Sequence, residues 1–122
     1  MMKINYLVAF ATMLVFSFSC QEKENPIQAC GVENPVANLT WLNERVEELE
    51  STEFGRNYSY ISEVLYQGQT LFMEGNCCPN CNSVFTYYDC QGNLFEDEIA
   101  STEVTENKLI WKSESSLCTV GE

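Results

Sequence analysis

The sequence predicts an α+β domain in which one N-terminal helix packs on an antiparallel sheet of about four to five strands, stabilised by disulfides. Three observations lead to this fold class. Apolar residues recur with helical spacing in one segment, the segments after it favour strands joined by tight turns, and six cysteines fall within residues 30–122. The chain has 122 residues, a length that fits one domain.

The helix is predicted over Trp41–Ser51, where apolar residues fall on one face and glutamates cover the others. The apolar spacing of three, four and three residues matches the helical period. Asn34-Pro35 opens a turn before it, and either Thr40 or Asn38 is placed to cap the first helical turn. The apolar positions are Leu39, Leu42, Val46 and Leu49, with Trp41 at the edge of the stripe.

Strands and turns follow the helix. The first strand, Asn57–Leu65, is rich in aromatic and branched residues, and Gln67-Gly68 then makes a tight turn into Thr70–Glu74. A third strand is predicted over Ser83–Asp89 and a last one over Lys108–Lys112. The intervening segments are predicted as a cysteine loop (75–82), a turn into Leu94-Phe95 (90–93) and an acidic polar loop or edge (96–98).

The first 29 residues have the composition of an export signal followed by a tether. Residues 1–19 carry one positive charge near their start, at Lys3, which is followed by an apolar run and then by small residues. This is the layout of a secretory signal peptide. Cys20 follows directly and resembles the lipidated cysteine of a bacterial lipoprotein lipobox. That resemblance implies cleavage before Cys20 and diacylglycerol on its sulfur, whose acyl chains, such as palmitate, would anchor the chain stably. Plain secretion with an ordinary seventh cysteine is the alternative. Residues 20–29 then form a lipid-anchored tether, and residues 30–122 form a single cysteine-rich domain.

Charge and composition exclude several functions. The mature chain would have 103 residues with 18 acidic and 5 basic side chains, and this net charge of −13 argues against a nucleic-acid partner. The absence of histidine removes a Ser-His-Asp triad, a Cys-His pair and any histidine-ligated metal. Glu96, Asp97 and Glu98 lack the spacing of a calcium loop and are predicted to be a solvated edge. We therefore predict no catalytic residues, no cofactor and no metal.

Six cysteines remain once Cys20 is assigned to the lipid, and an even number outside the cytosol predicts three disulfides. Adjacent Cys77 and Cys78 are expected to bond elsewhere, because a bridge between neighbours strains the peptide between them. The remaining pairing is open: Cys30 and Cys118 could join the two ends of the domain or bond inward to the cluster. The candidate disulfide cysteines are Cys30, Cys77, Cys78, Cys81, Cys90 and Cys118.

Two other chemistries are open to the same cysteines. Cys78 and Cys81 form a C-x-x-C pair, the spacing of thiol–disulfide oxidoreductases, although such a motif usually opens a helix and this one lies between predicted strands. A metal site built from four thiolates is the other alternative, although the second paired C-x-x-C that is typical of zinc sites is missing. Its ligands would be Cys77, Cys78, Cys81 and Cys90.

Five tyrosines form a candidate binding surface. If the sheet face away from the helix is exposed to solvent, a row of tyrosines there would suit contact with a protein or a glycan. Packing in the core is the alternative role for the same side chains. The five are Tyr58, Tyr60, Tyr66, Tyr87 and Tyr88.

Several short motifs fall in a fixed order along residues 30–112. They are Glu33-Asn34-Pro35, Leu39, Trp41-Leu42, Tyr66-Gln67-Gly68-Gln69-Thr70, Cys77-Cys78-Pro79-Asn80-Cys81 and Tyr88-Asp89-Cys90-Gln91-Gly92-Asn93. In this order they resemble a group of small Bacteroidota lipoproteins that carry a cysteine-rich domain of unknown function. Members carry a further cysteine shortly after the last motif, where this chain has Phe95. The resemblance implies a location in the cell envelope and a fold, but it implies no activity.

These observations lead to one functional expectation and two alternatives. We expect a lipid-anchored protein of the cell envelope, held in the outer membrane, that acts as a binding module for an envelope protein or a glycan. The charged stretch Glu22-Lys23-Glu24 is similar to the signals that send Bacteroidota lipoproteins to the cell surface. Two locations stay open: display at the cell surface, and a solvated linker that faces the periplasm. The alternatives are a thiol–disulfide oxidoreductase using Cys78 and Cys81, and a purely structural envelope lipoprotein.

Overall fold

The computed structural model describes residues 28–82 and 84–121. The predicted signal peptide 1–19, the lipidation candidate Cys20 and most of the predicted tether lie outside these residues. The last two residues of that tether, Gln28–Ala29, form the first strand. Within the described ranges, no helix has both the length and the apolar character that crossing a membrane requires.

The described chain has the predicted α+β fold, built around a four-stranded antiparallel sheet with strand order β5-β4-β3-β6. A separate two-stranded sheet pairs β1 with β2. The elements in chain order are β1 Gln28–Ala29, β2 Val32–Glu33, α1 Pro35–Asn38, α2 Thr40–Glu50, α3 Glu53–Tyr58, β3 Ser59–Tyr66, β4 Gln69–Asn76, β5 Thr86–Tyr88, a 3₁₀ turn Ser101–Glu103, and β6 Thr105–Lys112.

Helix α2 confirms the predicted helix to within one residue at each end, but its predicted caps are wrong. Leu39 precedes the helix in an extended conformation, and no side chain caps the first turn. Thr40 is already helical, and the side-chain amide of Asn38 donates instead to the carbonyl oxygen of Glu33 at 2.6 Å. The reason is that Pro35 starts the short helix α1, so the chain enters α2 from another helix instead of from a turn.

The predicted hairpin is confirmed, with longer strands. β3 and β4 pair antiparallel over their whole length around Gln67-Gly68. Both turn residues have positive φ, 48° and 78°, as a two-residue hairpin turn of type I′ requires. The predicted start of β3 at Asn57 is wrong, because helix α3 occupies that position. The side chain of Thr52 caps α3 by accepting a hydrogen bond from the backbone N–H of Gly55 at 3.0 Å.

The third predicted strand, Ser83–Asp89, is reduced to Thr86–Tyr88. This strand pairs with β4 on one side, and on the other side a single bridge joins Tyr88 to Leu94. The last strand is longer than predicted, because β6 starts at Thr105. Two register shifts against β3 interrupt β6, and these irregularities account for the broken apolar alternation in its sequence.

Helix α2 covers one face of the sheet, which we call the helix face. Its buried Leu42, Val46 and Leu49 belong to the same core cluster as Ile61 and Phe72 of the central strands. Trp41 packs edge-on against Phe72, with ring centroids 5.4 Å apart. The predicted packing of the helix on the sheet is therefore confirmed.

The opposite face, which we call the far face, is also buried. Tyr60, Val64, Leu71, Met73 and Tyr87 form a second core cluster there. Irregular chain covers this cluster in place of a helix: residues 95–104 and the C-terminal residues 113–121 supply the apolar side chains that pack on it. These partners are Phe95, Ile99, Val104, Cys118 and Val120.

Three disulfides hold this arrangement, as the even cysteine count predicts. Cys30 bonds to Cys90, Cys77 to Cys118, and Cys78 to Cys81. The two outlying cysteines, Cys30 and Cys118, therefore bond inward instead of to each other. Adjacent Cys77 and Cys78 have different partners, in agreement with the expected strain of a bridge between neighbours.

The disulfides are expected to differ in their effect on stability. Removing Cys30–Cys90, whose cysteines are 60 residues apart, should cost about 4 kcal/mol of unfolding free energy, against about 2 kcal/mol for Cys78–Cys81 with a separation of 3. The difference arises because the longer loop restricts the unfolded chain more. Guanidinium unfolding of the variants Cys30→Ala/Cys90→Ala and Cys78→Ala/Cys81→Ala measures both values. A variant lacking Cys78–Cys81 that is the less stable of the two would contradict this account.

Candidate functional site

A cleft of about 770 Å³ lies at the β5 edge of the sheet, beside the far-face core. Its walls are two segments that start together and then separate. Next to the Tyr88–Leu94 bridge, the N–H of Phe95 donates to the carbonyl oxygen of Tyr87 at 2.8 Å. The cleft opens beyond this pair, between residues 84–87 on one side and 94–100 with Glu103 on the other.

The lining of this acidic cleft combines apolar surface with negative charge. Val84 and Leu94 are 77% and 57% exposed, which is high for large apolar side chains, and both line the cleft. Half-buried Phe85, Phe95 and Ile99 line it further in. Four exposed carboxylates stand around these apolar residues, and the described lining contains no lysine or arginine. The carboxylates are Glu96, Asp97, Glu98 and Glu103.

The turn that leads into the Leu94 wall is held by Asp89. One carboxylate oxygen of Asp89 accepts hydrogen bonds from the backbone N–H groups of Gln91 and Asn93, both at 2.9 Å. The other carboxylate oxygen accepts from the side-chain amide of Asn93 at 3.2 Å. The conformation of residues 89–93 is therefore built in by local hydrogen bonds, as in other Asx turns.

The same turn is fastened to the helix side of the domain. The indole N–H of Trp41 donates to the carbonyl oxygen of Cys90 at 3.0 Å, and Cys90 is bonded to Cys30. Gly92 packs so closely under Trp41 that an added Cβ would lie 2.5 Å from the ring, and its φ of +85° also favours glycine. The turn before Leu94 is thus held in place against Trp41 and Cys30, and the wall of the cleft that begins at Leu94 follows directly from this turn.

The structure does not bring the five candidate tyrosines together on one exposed surface. Tyr60 and Tyr87 are only 8% and 5% exposed, because the irregular chain covers the far face on which they lie. Tyr66 packs against Phe95, and the other two lie elsewhere: Tyr88 against Trp41 on the helix face, and Tyr58 against Phe54. Of the five, Tyr87 lines the acidic cleft.

The buried position of Tyr87 leaves its hydroxyl without a hydrogen bond to the described residues and raises its pKa. Its hydroxyl is buried and has no hydrogen-bond partner among the described residues. Burial raises the pKa of Tyr87 above its usual value, and the nearby hydroxyl of Tyr60 raises it further. Burial alone raises the pKa of Tyr60. Both phenols therefore resist ionisation in the folded chain.

A charged network lies on the helix side, in a smaller pocket that shares Val84 and Thr86 with the acidic cleft. The guanidinium of Arg45 donates to both carboxylate oxygens of Glu74, at 2.6 and 2.8 Å, and to Glu48 at 2.7 Å. The hydrogen bond to Glu74 raises the pKa of Arg45 further above its already high value. Burial raises the pKa of Tyr88, whose hydroxyl also interacts with Glu74. The network joins α2 to β4 through a guanidinium that stays charged.

The described cysteines are all paired in disulfides. Cys78 and Cys81 are bonded to each other in the loop after β4, and the described residues of that loop do not start a helix whose N-terminus would lower a thiol pKa. Cys77 and Cys90 are each bonded to a different distant cysteine, so the four sulfurs are not gathered around one point. In the described ranges, no group of three or more cysteine or acidic side chains is arranged to hold a metal ion.

Sequence reasoning identified the acidic loop but missed the cleft. Glu96, Asp97 and Glu98 are exposed and lie outside regular structure, as predicted. What it missed is that they border an apolar surface formed by Val84 and Leu94. The only sequence signal was the presence of these large apolar residues in segments without a clear period. Comparison of the chain with family models, curated proteins and solved structures finds no match, so the site is interpreted from its own chemistry.

Replacing Tyr87 with phenylalanine should stabilise the protein. Tyr87→Phe removes a buried hydroxyl that lacks a partner, and should raise the unfolding free energy by about 1 kcal/mol. Tyr88→Phe is the matched control and should lower it by about 1 kcal/mol, because it removes an interaction with Glu74. Denaturant unfolding at neutral pH measures both changes, and the same sign for both variants would contradict this account.

The same variant should change the alkaline limit of stability. A phenol whose folded pKa is raised favours the folded state below its unfolded pKa of about 10, and this contribution is lost as pH rises through the folded pKa. Stability should therefore fall above about pH 10. It should fall less steeply in Tyr87→Phe than in the parent chain. Equal slopes in unfolding experiments between pH 9 and 11, at about half-unit steps, would show that Tyr87 does not contribute.

Proposed function

We propose that this chain is a lipid-anchored protein of the cell envelope that binds a partner through the acidic cleft. The observation that carries the proposal is the exposure of Val84 and Leu94 on opposite walls of one concave site. Clustered exposed apolar side chains with a polar border are typical of interaction sites in small soluble domains. The cleft volume is also within the range of roughly 300–1,000 Å³ that is usual for binding pockets.

The anchoring part of the proposal depends on Cys20 and the segment before it. The layout of residues 1–20 supports export and lipidation, and the three disulfides suit an oxidising compartment outside the cytosol. On this proposal the protein belongs to the outer membrane of a Bacteroidota-type envelope. The charged residues after Cys20 direct it to the cell surface.

The fold supports a division between an attached side and a binding side. The described chain begins at Gln28, and Cys30 packs against the helix-face core. The cleft lies beside the far-face core, on the other side of the sheet. A tether that leaves the domain at Gln28 therefore starts from the helix side and leaves the cleft open to a partner.

Lipidation predicts that Cys20→Ala releases the protein from the membrane. The parent chain should incorporate labelled palmitate and stay in the membrane fraction after a carbonate wash, because its acyl chains partition into the bilayer. Cys20→Ala should do neither. The matched control is Cys78→Ala/Cys81→Ala, which also loses cysteines but keeps the anchor. A Cys20→Ala protein that remains in the washed membranes would overturn the anchoring part of the proposal.

Binding through the cleft predicts a position-dependent cross-link in cells. A photoreactive amino acid in place of Val84 or Leu94 in the full chain should give a discrete adduct, because both side chains project into the site. The same group in place of Glu44, on the exposed face of α2, should not give that adduct. Absence of an adduct from both cleft positions would overturn the binding part and favour a purely structural lipoprotein. A partner held only through a reducible bond to Cys78 or Cys81 would favour the oxidoreductase.

A further inference from the structure

We infer that the acidic cleft binds an extended, positively charged peptide segment that also carries apolar side chains. This inference rests on the proposed binding function and specifies the chemistry of the partner. Three properties of the site carry it: the charge of its border, the apolar character of its walls, and the way its two walls separate from a paired strand.

The charge of the border selects a cationic partner. Glu96, Asp97, Glu98 and Glu103 line the cleft, whereas the described lysines and arginines lie on other elements. Arg45 is engaged by Glu74 and Glu48, Arg56 donates to the carbonyl oxygen of Glu50, and Lys112 donates to two C-terminal carbonyl oxygens. The described lining of the cleft is therefore negative, although Glu103 also accepts a hydrogen bond from the backbone N–H of Ala100 at 3.0 Å. Such a lining attracts lysine and arginine side chains and repels nucleic acids and anionic lipids.

The apolar walls require more than a positive charge. A bare metal ion or a polyamine would leave Val84, Leu94 and the half-buried Phe95 in contact with water. Burial of apolar surface is favourable, so an occupant with aliphatic or aromatic side chains gains free energy that a purely ionic occupant does not. A peptide with both kinds of side chain satisfies both parts of the lining.

The backbone geometry favours an extended segment. Antiparallel pairing begins at Tyr88 and Leu94 and stops where the walls separate, so residues 84–86 and 96–98 face each other across the cleft. A strand lying between them would continue the sheet beyond β5, which is a common mode of peptide recognition. Tyr87 lines this gap, but its hydroxyl is buried next to that of Tyr60, so the backbone edge and not this hydroxyl carries the argument for an extended segment.

The test measures binding of short fluorescent peptides to the full chain held in nanodiscs of zwitterionic lipid. The probe is a peptide of alternating lysine and valine. One comparison peptide replaces valine with serine, and the other replaces lysine with glutamate. At about 150 mM salt, where long-range attraction is screened, the lysine–valine peptide should bind at least about ten-fold more tightly than either comparison peptide. Equal affinity for the lysine–serine peptide would overturn the inference, because charge alone would then explain binding.

Matched variants locate the binding. Glu96→Gln/Asp97→Asn/Glu98→Gln should weaken binding by about ten-fold, whereas Glu44→Gln/Glu47→Gln/Glu50→Gln removes the same charge from the exposed face of α2 and should change it by less than about two-fold. Leu94→Ser should weaken binding, and its control Leu117→Ser, at an exposed leucine outside the cleft, should not. Equal effects of a cleft variant and its control would overturn the inference.

The outcomes separate this inference from the proposed function. A cross-link from Val84 or Leu94 without binding of the lysine–valine peptide would overturn the cationic peptide and leave the binding function standing. Failure of both experiments would remove both. Sedimentation of the full chain tests the remaining occupant: self-association that Leu94→Ser abolishes and Leu117→Ser does not would identify a second copy of the chain, and would also overturn the inference.

Discussion

The Cys77–Cys118 disulfide is the constraint on which the far face of this domain depends. The four-stranded sheet has apolar residues on both faces, but the described chain places its longest helix on one of them only. Irregular chain must cover the other face, and such chain loses more entropy on ordering than the local contacts it makes can offset. The disulfide fixes the C-terminal segment there, and Lys112 donates to the carbonyl oxygens of Cys118 and Val120 at 3.2 Å. Without this attachment the second core would lose the cover that Cys118 and Val120 provide and would keep only residues 95–104.

The acidic cleft also results from the small amount of regular secondary structure at this edge of the sheet. Because β5 is only three residues long, the chain on either side of it is free to diverge from the sheet. Disulfides limit that divergence at both ends: Cys78–Cys81 closes the loop before Val84, and Cys30–Cys90 fixes the turn before Leu94. A short edge strand with fixed flanks therefore produces two walls with a gap, and the glutamates and aspartate that would keep an edge strand soluble become the border of a site.

The sequence predicts the parts of the structure that are determined by residues close together in the chain. Helix α2 follows from the spacing of Leu42, Val46 and Leu49, and the β3–β4 hairpin follows from Gln67-Gly68. Helix α3 was missed although Thr52 and Gly55 offer a cap, since the tyrosines after it favour a strand. The disulfide count followed from composition, but the pairing and the cleft did not. Both depend on contacts between distant segments, such as the bridge from Tyr88 to Leu94, which no local pattern specifies.

The position of the Cys30–Cys90 disulfide also determines how the domain would bear mechanical force. A pull between a membrane anchor and an occupant of the cleft would enter at Gln28 and leave near Leu94. The covalent link from Cys30 to Cys90 carries that tension directly into residues 90–94 and bypasses α2, β3 and β4. The load that an occupant transfers to the wall beginning at Leu94 therefore does not pass through the hydrogen bonds of the sheet, whereas the load on residues 84–86 does. This wall of the cleft would therefore stay covalently connected to the end of the domain at Cys30 while the sheet was under tension.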